Sequence, residues 1–251
     1  MSASDRSAPL ALVLGATGLL GRAICVELAG RGYALALVAR DAARLRETAA
    51  ALRAGGAFVH PETSIDLRDL VAVAALFQGY ADSLFLPDVV VVAHGLHATD
   101  AECLQDGERF RAMVDTNLVA AAFCAEHALA LLEARGAGDL IVVSSVSGER
   151  GRLRNFRYAA TKAGLNAFLD GLRLSARSRA VNVVTLKPGP LASTGAVHGR
   201  TLLAALPKTV ARVACDAIGS RRSVVFAPWW WRPLMFVVRV LPDWLLRRID
   251  A

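Results

Sequence analysis

From Leu10 to Phe226 the chain alternates short, continuously apolar runs with longer stretches of helical periodicity. The apolar runs are Leu10–Leu14, Ala34–Ala39, Ala57–His60, Val89–Ala93, Leu140–Val143, Val181–Leu186 and Val224–Phe226. An unbroken apolar run of strand length predicts a strand covered on both faces, whereas a half-exposed strand would alternate. The helical stretches are Leu19–Arg31, Asp41–Ala54, Leu67–Gln78, Gln105–Arg135, Asn155–Ser178 and Pro207–Ile218. Strand and helix in repeated succession predict an α/β fold: a doubly wound parallel sheet of seven strands with helices on both faces. Three segments are expected: a disordered N-terminus over 1–9, the α/β domain over 10–227 and a tail over 228–251.

The tail departs from this alternation. It holds all four tryptophans (Trp229, Trp230, Trp231 and Trp244) beside Arg232, Arg239, Arg247 and Arg248, and Pro228, Pro233 and Pro242 break it. It lacks the ~18 uninterrupted apolar residues of a spanning helix. Tryptophan with arginine suits the headgroup layer of a bilayer, and the same residues suit packing on the core or on a second subunit.

At 251 residues and 55% hydrophobic, the chain can bury a large core, which excludes intrinsic disorder. Its 29 basic and 22 acidic residues leave a net charge of +7, which permits anionic ligands or lipids but selects none. Nothing points to nucleic acid. Cys25, Cys103, Cys124 and Cys215 are scattered, without a Cys-x-x-Cys pair. That spacing argues against a zinc site or disulfide framework and for a reducing compartment. No secretory signal is read in Met1–Pro9, so the expected location is the cytoplasm or the cytoplasmic face of the inner membrane.

The first strand runs into Gly15-Ala16-Thr17-Gly18-Leu19-Leu20-Gly21. Glycines permit a tight turn and close approach of backbone to a pyrophosphate, and the following helix N-terminus supplies N–H groups and positive dipole. The second strand ends Val38-Ala39-Arg40-Asp41, with Arg44 a turn later. A guanidinium there can grip a 2′-phosphate, which favours NADP(H) over NAD(H). Asp41 points the other way, toward NAD(H), though it falls one or two residues late, and is read alternatively as the cap of the helix Asp41–Ala54. Asp66 is read either as acceptor for an adenine amino group or as another cap.

Tyr158 and Lys162, four apart, share a helix face, and Ser145 ends the strand thirteen residues earlier. A neighbouring ammonium is expected to bring a phenol toward the working range, and a serine hydroxyl at the sheet edge can hold a carbonyl. Four arginines (Arg150, Arg152, Arg154 and Arg157) fall within eight residues between that serine and tyrosine. They are candidates for a phosphate or diphosphate, against the alternative of a solvated basic loop. His94 and His97 form His-x-x-His, with no carboxylate or cysteine partner to complete a metal site.

These motifs resemble the short-chain dehydrogenase/reductase family from Leu10 to Phe226, adding Asn117 in Asp115-Thr116-Asn117-Leu118, Pro188-Gly189 and Thr194. Two departures are Leu14 where threonine usually opens the loop, and Val92-Ala93-His94-Gly95 where Asn-Asn-Ala-Gly is usual. The resemblance implies that Tyr158 is the acid/base and that Lys162 tunes it and binds nicotinamide ribose. It implies that Ser145 orients substrate, Asn117 extends a proton relay, and Pro188, Gly189 and Thr194 flank the carboxamide. Gly15, Thr17, Gly18, Leu20, Gly21, Arg40, Asp66, Ala93 and Gly95 would complete the cofactor site. Ser144–Arg150, Asn155-Phe156 and Phe226-Ala227-Pro228 look like a subgroup that reduces the keto-sugar of a polyprenyl-phosphate lipid supplied by a partner oxidase. Arg150, Arg152 and Arg154 would then face the substrate. Alternatives are a 3-ketoacyl or sphingoid ketone, or a non-catalytic membrane scaffold that binds the cofactor. A homodimer or homotetramer is implied.

Overall fold

Seven parallel strands, β1 (Leu10–Leu14), β2 (Ala34–Ala39), β3 (Thr63–Ser64), β4 (Val89–Val92), β5 (Gly138–Val143), β6 (Val181–Pro188) and β7 (Val224–Ala227), form one sheet. Their order is β3-β2-β1-β4-β5-β6-β7, so the winding reverses between β1 and β4. The computed structural model describes residues 8–83, 85–153, 155–176, 180–192 and 204–250. The expected disorder of 1–9 lies largely outside them, as do Arg154 and Thr194.

The continuous apolar runs are explained by two cores. Ala11 and Val13 of β1 pack with α1 (Leu19–Gly30) and α8 (Pro207–Cys215) through Ile24, Leu28 and Val210. Leu12 and Leu14, pointing the other way, pack toward α3 (Leu70–Ala81), α6 (Ala121–Arg135) and α7 (Phe156–Ser175) through Val73, Leu132 and Leu165. Alternation of side chains across a strand sends one residue to each core, so both sets must be apolar.

Three expectations on element boundaries change. The third strand is not Ala57–His60: that run gives a single bridge from Val59 to Leu35, and the paired strand is Thr63–Ser64 against Val38 and Ala39. Pro61 has no N–H to donate, and Phe58 is exposed, so the ladder breaks and resumes beyond. Secondly, Asp69 rather than Asp66 caps α3, accepting from the Ala72 N–H. Asp41 does cap α2 (Ala42–Ala54), accepting from Ala43 and Arg44.

Thirdly, Gln105–Arg135 is not one helix. Asp106 is extended and separates α4 (Asp100–Gln105) from α5 (Gly107–Val114), and a π-helical turn at Asp115–Ala120 precedes α6. Among the described residues Gly107–Arg135 is the one helical stretch long and apolar enough to cross a membrane, and half of its most apolar window is buried in the domain.

The tail packs on the domain, one of the roles read for it from the sequence. It forms α9 (Trp231–Val240) and α10 (Asp243–Asp250), and Trp231 and Met235 pack on Val146 just after Ser145. The Arg150 guanidinium donates to the carbonyls of Val238 (2.8 Å), Arg239 (3.1 Å) and Leu241 and pairs with Asp243 at 2.7 Å. Phe236, Val240 and Trp244 face outward and are exposed.

Candidate active site

The carboxyl ends of β1, β4, β5 and β6 open onto one cleft of about 1040 Å³. Open parallel sheets place ligand crevices where the winding reverses, which here is the gap between β1 and β4.

The glycine loop forms its floor at one end. Gly15 has φ 88° and its N–H donates to the Val38 carbonyl at 2.8 Å; a Cβ there would lie 2.5 Å from the His94 nitrogen. A Cβ on Gly21 would lie 2.2 Å from the Gly15 carbonyl oxygen, so only glycine lets α1 rise this close to the loop. Thr17, Gly18 and Leu20 line the cleft at the start of α1, whose amino terminus has no side-chain cap. Arg40, exposed over 72% of its side chain, stands at the rim, and Arg44 donates to the Thr17 carbonyl at 3.2 Å. Asp66 also lines the cleft, but Arg68 grips its carboxylate at 2.6 Å and holds its pKa down at about 2.

Ala93, His94 and Gly95 form the opposite lip, with Pro188 and Gly189 beyond. Burial, and next the Lys162 charge, push the His94 imidazole down to about 4, so it is neutral at physiological pH. Gly95 lies over a polar floor: a Cβ would sit 3.4 Å from Asn117 Oδ1 and 3.9 Å from Lys162 Nζ. An elongated cleft with a bare glycine turn and helix N-terminus inside, two arginines at one end and a buried cation in the middle fits a dinucleotide.

Ser145, Tyr158 and Lys162 meet in this cleft. Ser145 is buried and accepts from the Ser147 N–H at 3.1 Å as the chain turns into a short 3-10 helix, Val146–Glu149. Lys162 is 3% exposed, and its ammonium donates to the Val143 carbonyl at 3.1 Å. Burial pulls its pKa from the usual 10.5 down to about 8. Here the sequence expectation is corrected. Burial raises the Tyr158 phenol above its ordinary 10, and only the hydrogen bond with Ser145 works against the rise. One of the ammonium's three N–H groups goes to Val143, and desolvation penalises both charged forms.

Asn117, fully buried in the π-helical turn, accepts from the Leu96 N–H and donates to the Leu96 carbonyl, both at 2.7 Å, and reaches Thr161 Oγ1 at 3.3 Å. Two neighbours were not singled out from sequence as parts of the site. The His97 ring packs on Tyr158 at 4.9 Å, and Asp100 accepts from the Phe156 and Arg157 N–H groups, capping α7 from a distance. The second stands in for a local cap, since Asn155 makes none.

Of the three arginines proposed to face substrate, Arg152 lines the cleft. Arg150 does not: its guanidinium is consumed by the tail, because four acceptors at the end of α9 and the start of α10 surround it.

Comparison with known proteins agrees with this geometry. The short chain dehydrogenase family pattern matches residues 9–201. The chain is 31% identical to an uncharacterized oxidoreductase of Mycobacterium tuberculosis over 98% of each chain. It is 28% identical to the ketoacyl reductase HetN of a Nostoc species, over 85% of this chain and 76% of the relative. An alcohol dehydrogenase from Thermococcus sibiricus, solved with 5-hydroxy-NADP, superposes with a TM-score of 0.75 at 26% identity, covering 88% of this chain and 95% of that one. The chain belongs to the short-chain dehydrogenase/reductase family. It is accordingly an NAD(P)-dependent oxidoreductase.

The buried ammonium predicts a trade between stability and chemistry. Because the folded-state pKa of Lys162 is about 8 against 10.5 unfolded, the unfolded chain holds more protons between those values and stability gains from this group as pH rises through them. Lys162→Met should therefore raise the melting temperature at pH 7 by at least about 3 °C. The gain over the parent protein should shrink between pH 8 and 10.5 in calorimetry, while turnover is lost.

Proposed function

We propose that the protein reduces a ketone to a secondary alcohol with NADPH, and that Tyr158 is the proton donor. The observation that supports this most directly is the meeting of Ser145, Tyr158 and Lys162 at one wall of a cleft that carries two arginines at its far end. Bound NADPH supplies the hydride. The Ser145 hydroxyl and the Tyr158 phenol together hold the carbonyl oxygen, and Tyr158 gives its proton to that oxygen as charge develops there. A phenol that burial keeps protonated is suited to donate to a carbonyl oxygen. Lys162 is placed to bind ribose hydroxyls beside the reacting centre. Asn117 pins the Leu96 backbone; through that contact it shapes the cofactor lip, and a proton relay through it remains part of the proposal.

NADPH is favoured over NADH by Arg40 and Arg44, which line the cleft at the end of β2, while the acids beside them are engaged, Asp41 as the cap of α2 and Asp66 by Arg68. The 5-hydroxy-NADP bound to the Thermococcus alcohol dehydrogenase supports the same choice.

The substrate we favour is a ketone on an amphiphile with an anionic head. The segment from Ser144 to Arg150 and the tail resemble decaprenylphosphoryl-2-keto-erythro-pentose reductase, which acts on the keto-sugar of a polyprenyl phosphate. A 3-ketoacyl substrate is the second reading, favoured by the likeness to the ketoacyl reductase HetN. Both suit a tail whose outward residues Phe236, Val240 and Trp244 are flanked by exposed Arg232, Arg239, Arg247 and Arg248, the composition of a surface that rests on an anionic bilayer.

Tyr158→Phe should lower kcat by at least about a hundredfold with NADPH binding unchanged in fluorescence titration; near-normal turnover refutes the proton-donor role. Replacing Arg40 and Arg44 together by alanine should raise the Kd of NADPH about tenfold or more and that of NADH little, whereas equal losses point to an NADH enzyme. Phe236→Ser with Trp244→Ser should cut co-sedimentation with phosphatidylglycerol vesicles; undiminished binding overturns the bilayer-facing tail.

A further inference from the structure

The loop between Ser145 and Tyr158 carries several arginines, and their surroundings separate them. Arg150 is saturated by carbonyls and a carboxylate of the tail. Arg157 is paired with Asp100, donating to its carbonyl at 3.1 Å and its carboxylate at 3.4 Å. Among the described residues Arg152 has no such partner. It lines the cleft beside Ser145 and Tyr158, and its Nε is buried without an acceptor among the described residues.

A second unsatisfied group sits three residues on. The Asn155 N–H donates to the Arg152 carbonyl at 3.1 Å, closing a turn that presents both side chains to the same cleft. The Asn155 amide is oriented by its Nδ2, which donates to Ser147 Oγ at 3.1 Å, and its Oδ1 is buried with no donor among the described residues. Buried polar groups in folded proteins are nearly always paired, so an unpaired donor and an unpaired acceptor together at a cleft wall point to a ligand that satisfies both. The donor is a cation with a planar fork and the acceptor is neutral. The matching ligand presents an oxyanion with a hydroxyl or N–H beside it.

We propose that Arg152 and Asn155 form the subsite for a phosphate or carboxylate substituent of the ketone, with a neighbouring hydroxyl bound by Asn155 Oδ1. The inference rests on the reading of the cleft as a ketone reductase and adds the chemistry of the substrate's far end. Leu153 and Phe156, next to these two residues in the chain, are 58% and 47% exposed.

The test uses the full chain saturated with NADP⁺, so that the cofactor's own phosphate sites are filled. Nucleotide binding is checked first by tryptophan fluorescence, and a protein that takes up no nucleotide refutes the oxidoreductase reading and this subsite with it. On the loaded protein, calorimetry compares dihydroxyacetone phosphate with dihydroxyacetone. The phosphate should bind at least about tenfold tighter, as expected for a charge-assisted bidentate contact. Arg152→Ala should abolish that preference, Arg152→Lys should restore part of it, and Asn155→Asp should reverse it by setting a carboxylate against the phosphate. Tyr158→Phe should leave it intact. Equal binding of the two probes, no binding of either at millimolar concentration, or an unchanged preference in Arg152→Ala overturns the subsite while leaving the reductase reading standing. Farnesyl phosphate against inorganic phosphate separates the sources of the oxyanion. Much tighter binding of the former, lost in Arg152→Ala, marks a lipid headgroup, and parity with the same loss marks a water-soluble phosphate.

Discussion

A cation buried at the carboxyl edge of the sheet is the constraint on which the site depends. Lys162 is almost wholly inaccessible and its ammonium has the Val143 carbonyl as acceptor at the end of β5. Desolvation makes that placement unfavourable, as the fall of its pKa to about 8 records. The helix carrying it must therefore be held against the sheet by other contacts. Ser144 Oγ donates to Asn166 Oδ1 at 2.6 Å one turn beyond Lys162, and Asp100 caps the helix start. Gly148 completes the clamp: a Cβ there would lie 2.8 Å from the Lys162 carbonyl carbon, so the serine loop can lie on α7 only if that residue has no side chain. The distance between Ser145 and Tyr158 is thus set by polar contacts on either side of them rather than by the two residues themselves.

The same loop is held from its far side by the tail. Glu149 pairs with Lys187 at 2.6 Å, with side chains 8% and 12% exposed, and lies 3.6 Å from Arg239 of α9. A buried pair of this kind is weak evidence for stability, since desolvation offsets much of the attraction, but leaving either member alone is costly. It therefore fixes one arrangement in which β6, the serine loop and α9 meet. Trp231 adds a close contact: a Cβ on Gly189 would lie 2.0 Å from its indole nitrogen, so the end of β6 at the cleft and the tail touch directly. A change in how the tail is seated would be felt at the wall of the cleft.

Features set by local spacing were legible in the sequence. Continuous apolar runs identified the strands of the doubly wound sheet, and the four-residue interval placed Tyr158 and Lys162 on one face. What depended on distant partners was not. Pro61 stops a promising strand because a ladder needs its N–H, and the extended Asp106 divides a helix that periodicity alone would run through. Arg150 and Arg152 are two residues apart and read alike, yet one is surrounded by tail carbonyls ninety residues later in the chain while the other faces the cleft. The expected lowering of the Tyr158 pKa failed for a related reason. Spacing says that the ammonium is near, but not that a backbone carbonyl takes one of its N–H groups or that both groups are desolvated.

That last point bears on the protonation state of the site. With the phenol raised above 10 and the ammonium lowered to about 8, the two groups move apart in acidity, and the phenol begins a cycle holding its proton. A carbonyl oxygen gaining negative charge needs a proton, and Tyr158 with Ser145 beside it can supply one without first drawing it from solvent. Giving up that proton leaves a phenolate inside a desolvated wall, and the reverse step begins from that same phenolate, so the cost of ionising Tyr158 is met in both directions. The burial that makes the site hard to build therefore also sets how much the bound cofactor and the neighbouring groups must stabilise that phenolate.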